Sequence, residues 1–143
     1  MFVSIKLWRS FADCWISNRD SGSIKEANDL ALRLARAYTC SKNTIVVDGA
    51  YHGHTLGVLE VSPYKYEHSK EFDLTTQGNG IGPYKTPGSH IWKVPCPDVY
   101  RGPHLGSNAG EKYASYVEAA CNHYASKGES LGAFIMEGGM SIG

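Results

Sequence analysis

Glu26–Tyr38, E-A-N-D-L-A-L-R-L-A-R-A-Y, and the run Thr44-Ile45-Val46-Val47-Asp48-Gly49 that follows it decide the fold. In the first stretch Ala27, Leu30, Ala31, Leu34, Ala35 and Tyr38 recur at helical spacing. Asp29, Arg33 and Arg36 fall mostly on another face, so the stretch reads as an amphipathic helix. The second is a short β-branched run closed by Asp-Gly, which reads as a buried strand ending in a turn. Working outward, a second helix is predicted over His54–Val61, broken at Ser62-Pro63 because the residue before proline is pushed out of helical geometry. The stretch 67–89, rich in glycine and proline and without apolar periodicity, reads as a long surface loop. His90–Val94 is a predicted strand stopped by Pro95-Cys96-Pro97. Tyr113, Tyr116, Val117, Ala120 and Tyr124 mark a third helix closed by Lys127-Gly128, and Leu131–Met136 a last strand.

Short buried strands alternating with helices predict the α/β class, a mostly parallel sheet with flanking helices. In such sheets ligands bind beyond the carboxyl ends of the strands, where loops lead into helix N-termini. That rule places Ser21-Gly22-Ser23, the Asp48–Gly53 segment and the turn at Glu137–Gly139 on one edge.

With 143 residues the chain fits one domain or part of a larger one. Fourteen basic residues balance fourteen acidic ones, a composition that argues against nucleic-acid or membrane-surface binding. No apolar run approaches the roughly 20 residues that cross a bilayer. Cys14, Cys40, Cys96 and Cys121 are far apart and lack C-x-x-C or zinc-finger spacing, so they read as reduced, structural thiols. The opening Met1–Phe11 is basic and free of acids, faintly like a mitochondrial targeting start, but short and not serine-rich. Mitochondrial and cytoplasmic locations both stay open.

Three constellations carry chemistry. Ser21-Gly22-Ser23 precedes the strongest helix, where unpaired backbone N–H groups and the helix dipole attract an anion such as a phosphate; the plain alternative is an N-cap with a flexible turn. Gly49-Ala50-Tyr51-His52-Gly53-His54 follows a strand, and Tyr51 with Gly53 offers a ring to stack on and a backbone kept clear of a flat cofactor. Alternatively, Tyr51 is half-buried core and His52 and His54 lie on the surface. No third ligand accompanies the two histidines, so no metal site is read here. Glu137, ahead of Gly138-Gly139, could contact a cofactor hydroxyl or a substrate ammonium, although strand-end acids are usually solvated.

Together these pieces resemble a known family. Ser21-Gly22-Ser23 and Glu26–Arg36 are similar to the S-G-S-E-A-N-D-L-A-L-R-L-A-R segment of the class III aminotransferases. Asp48–His54, Ser62-Pro63-Tyr64-Lys65-Tyr66 and Pro97-Asp98-Val99-Tyr100-Arg101-Gly102 resemble more narrowly the branch of ethanolamine-phosphate and 5-phosphohydroxy-lysine phospho-lyases, also labelled alanine–glyoxylate aminotransferase 2-like. The resemblance runs from Asp20 onward with a gap at the glycine-rich loop, which divides the chain into a divergent segment, 1–19, and a partial cofactor-binding large domain, 20–143.

The resemblance implies part of a fold type I, pyridoxal 5'-phosphate enzyme, a homodimer acting on a small amino compound as a transaminase or phospho-lyase. On that template Ser21, Gly22 and Ser23 bind the cofactor phosphate, Tyr51 stacks on the pyridine ring beside His52 and Gly53, and Glu137 lies near the substrate. The Schiff-base lysine and the aspartate partner of the pyridine nitrogen lie further along in the family. No lysine here sits in a matching segment, so no catalytic residue is nominated and the chain is expected to be inactive alone.

Two departures bear on the phosphate site: Ile24-Lys25 stands between Ser23 and Glu26, and Asp20 replaces the usual asparagine. An insertion there is expected to rotate the hydroxyls away from the helix N–H groups or to force a bulge. The competing readings are a catalytically dead paralogue kept for dimerisation or phosphate-ligand binding, and an unrelated nucleotide binder. The latter lacks both G-x-G-x-x-G and G-x-x-x-x-G-K-[ST].

Overall fold

The computed structural model describes residues 3–6, 13–15, 24–65 and 88–140. The middle strand of the parallel part of the sheet is β3, Thr44–Val47, buried along its whole length. It pairs in parallel with β4, Ile91–Val94, on one side and with β5, Ala133–Glu137, on the other. All three therefore end on the same edge. β1, Val3–Lys6, lies antiparallel against β5, and β2, Asp13–Trp15, lies antiparallel against β1, giving the order β2-β1-β5-β3-β4. The α/β class is as expected, with a parallel trio forming one side of the sheet. The antiparallel pair at its edge comes from the divergent segment, in which the sequence offered no strand pattern.

Helices cover both faces. Along β3, Val46 points to one core with Ala31, Leu32 and Ala35 of α1 (Ile24–Thr39) and Val58 of α2 (Leu56–Leu59). Ile45 and Val47 point to the other, with Ala120 and Tyr124 of α3 (Ala109–Ser126). Alternate side chains of a strand point to opposite faces, so a run buried on both sides is mostly apolar, and the one hydroxyl here, on Thr44, donates to the Lys42 carbonyl. Trp92 of β4 joins the α3 face, tilted 54° against His123 at 4.6 Å between ring centroids.

Several boundaries move. The predicted helix over His54–Val61 shrinks to α2, followed by a 3-10 turn at Pro63–Lys65. His90 sits in the turn before β4, and α3 begins four residues ahead of Tyr113. Residues 67–87 of the predicted loop lie outside the described residues. On α1 the apolar stripe divides: Ala27, Ala31 and Ala35 are buried with Leu32, whereas Leu30, Leu34 and Tyr38 are 48%, 48% and 54% exposed. Small alanines let the helix backbone approach the sheet, and the larger side chains are carried round the flank.

Not every thiol behaves as a buried hydrophobe. Cys96 and Cys121 are partly buried, and burial pushes both thiols above their usual pKa. Cys40, by contrast, is exposed and ends α1 with φ +52°, a left-handed position that disfavours a Cβ. Cys40→Gly is expected to stabilise the protein by about 0.5–1 kcal/mol, read as a higher urea midpoint at unchanged slope.

Candidate functional site

The site grows from the carboxyl end of β3. Gly49, at φ +74°, turns the chain out of the strand, and the Ala50 N–H bonds back to the Val47 carbonyl at 3.1 Å. Tyr51 follows, half-buried, its ring edge-on to Tyr64 at 6.2 Å between centroids and 77° between planes. The Tyr51 N–H points to the Glu137 carboxylate at the end of β5, at 3.4 Å. Glu137 is only 3% exposed, so the expectation of a solvated strand-end acid does not hold.

His52 and Gly53 are tied to α1 rather than to solvent. The Asn28 amide donates to the His52 carbonyl at 2.8 Å, and the His52 N–H donates to Ser62 Oγ at 3.1 Å. Ser62 Oγ in turn donates toward the Val58 carbonyl at 2.9 Å, with the Gly53 carbonyl at 3.3 Å. A Cβ added at Gly53 would lie 2.5 Å from Lys25 Cβ and 3.1 Å from Lys25 Cα, so the first turn of α1 rests directly on this loop. Glycine is required there twice over, since φ is +126°.

The His52 side chain is 1% exposed and neither ring nitrogen has a hydrogen-bond partner. Burial lowers its pKa to about 4, against a smaller opposing pull from Glu137, so the imidazole is neutral at pH 7. The surface reading therefore fits His54, which is exposed, and not His52. Among the described residues no three His, Cys, Asp or Glu side chains gather as metal ligands.

Of the residues named from sequence, Tyr51, His52, Gly53 and Glu137 come together on the carboxyl edge. Ser21, Gly22 and Ser23 lie outside the described residues, but the helix they precede begins at that edge. Ile24 and Lys25 form the first residues of α1. Sequence reasoning missed Asn28 and Ser62, which clamp the loop. The signal for Asn28 was available: it is a polar residue one position from Ala27 and three from Ala31, on the face that packs inward, and buried polar groups need partners.

No family model matches the chain. It is 40% identical over 146 aligned positions to a Drosophila melanogaster protein named alanine–glyoxylate aminotransferase 2-like, covering 99% of this chain and 26% of that protein. It is 38% identical over 135 positions to the Caenorhabditis elegans ethanolamine-phosphate phospho-lyase homolog 1, covering 87% of this chain and 26% of that one. With the mitochondrial alanine–glyoxylate aminotransferase 2 of Homo sapiens it shares 39% over 92 positions, 62% of this chain and 14% of that one. These relatives match the branch of the class III aminotransferases that the motifs resemble, the one with the alanine–glyoxylate aminotransferase 2-like and phospho-lyase proteins. The chain spans about a quarter of the length of the first two relatives.

Proposed function

We propose that this chain forms the phosphate- and ring-binding part of a pyridoxal 5'-phosphate enzyme, a transaminase or phospho-lyase acting on a small amino compound such as ethanolamine phosphate. The observation that carries the reading is the contact of the first turn of α1 with the Tyr51–Gly53 loop, which brings a helix N-terminus against the segment that carries the half-buried Tyr51. These residues fit the cofactor: the helix start suits its phosphate, Tyr51 its flat ring, and the buried Glu137 carboxylate the cationic end of an amino substrate.

When bound, the cofactor would supply an electron sink for the substrate's α-carbon. Ser21, Gly22 and Ser23 would bind its phosphate, Tyr51 would orient its ring, and Asn28 and Ser62 would hold the loop that carries Tyr51. The lysine that bonds the cofactor, the aspartate that pairs with the pyridine nitrogen, and a second subunit would be needed to complete the activity.

Pyridoxine 5'-phosphate, which has no aldehyde, isolates recognition from lysine chemistry. It is expected to quench the protein's fluorescence saturably, with Tyr51→Ala weakening binding about tenfold, or about 1.4 kcal/mol. Borohydride treatment with pyridoxal 5'-phosphate should label no single lysine preferentially. Absence of saturable quenching removes the cofactor reading, and one dominant labelled lysine removes the claim that the chain lacks its own.

A further inference from the structure

Lys93 sits where a lysine is out of place. Its neighbours on β4, Trp92 and Val94, face the α3 core, so alternation turns Lys93 to the face covered by α1 and α2, and it is only 8% exposed. A buried ammonium is costly unless paired. Its partner is Asp48, with Nζ 2.8 Å from Oδ1, and that carboxylate is half exposed.

Asp48 is the first residue beyond β3 and the start of the segment that carries Tyr51. Its N–H bonds to the Val94 carbonyl at 2.8 Å, and its Oδ1 also accepts the Gly49 N–H at 3.1 Å. One carboxylate oxygen thus stands between two donors: the ammonium fixes it to β4, and the Gly49 N–H fixes the turn to it. Gly49 at φ +74° then sets the direction in which the chain leaves toward Tyr51.

We propose that Lys93 is a positioning residue for Tyr51, acting through Asp48 and the Gly49 turn to hold the tyrosine ring against Tyr64. The proposal rests on the functional reading above only for what the ring receives. The placement of the ring itself stands on the ligand-free geometry.

Two measurements on the full chain separate these parts. In the ligand-free protein, Lys93→Met keeps the aliphatic stem and removes the charge, while Asp48→Asn approaches the same pair from its exposed side and keeps an acceptor for the Gly49 N–H. Each is expected to abolish the Tyr51–Tyr64 ring cross-peaks in nuclear Overhauser spectra while amide dispersion elsewhere is retained. In pyridoxine 5'-phosphate titration, each single variant should weaken binding about tenfold, and the double variant no more than either single one, because both break one link. Persistence of the ring cross-peaks in both single variants overturns the proposal, as does a double variant whose loss is the product of the two. If the unaltered chain fails to bind the probe, the cofactor reading falls while the cross-peaks still decide the role of Lys93.

Discussion

Acidification from pH 6.5 to 4 is expected to remove about 3 kcal/mol of stability through His52 alone. The unfolded chain takes up this proton near 6.5, the folded chain only near 4, because charging the ring inside the protein forfeits its hydration. Between those values the unfolded state binds more protons, so lowering the pH favours unfolding. Above 6.5 both states are neutral and the contribution is complete; below 4 both are charged and nothing more is lost. The check is a pair of urea titrations at pH 7 and 4.5 on the wild type and on His52→Leu. Other groups titrate in both proteins, so the difference between their pH slopes isolates His52. Equal slopes would show that the ring is either hydrated or protonated in the folded state.

Gly53→Ala is expected to cost about 2–4 kcal/mol, combining a left-side φ with overlap against the Lys25 backbone. The overlap is with Cα and Cβ atoms of a helix, not with the tip of a flexible side chain, so relief requires α1 to move. The same substitution should therefore loosen the Asn28 amide from the His52 carbonyl and expose the loop. Differential scanning calorimetry reads the stability, and hydrogen exchange at residues 51–53 and in the first turn of α1 reads the loosening. A thermal midpoint within a degree or two of wild type would mean that the helix start does not rest on this loop, and the cofactor reading would lose its supporting contact.

Much of the fold could be read directly. The β-branched, mostly apolar Thr44–Val47 run suits burial on both faces, and it is buried on both; the helical stripes around Ala31 and Ala120 locate the helices that cover them. Side-chain period alone carries that information. The antiparallel β1 and β2 were not legible, since strands of four and three residues owe their conformation to backbone pairing, β1 with β5 and β2 with β1, rather than to any pattern of their own. Nor could periodicity separate Ala31 from Leu34, because a stripe broad enough for both leaves the sheet to choose, and close approach favours the smaller residue.

By itself, then, the sequence determined the α/β class and the succession α1, β3, α2, β4, α3 and β5. Only the tertiary structure decided that His52 is buried and neutral, that Glu137 meets the Tyr51 backbone, and that Lys93 answers Asp48. Local propensity acts along a few residues. These contacts join positions 45 to 86 residues apart, and they exist because three parallel strands deliver their carboxyl ends to one edge.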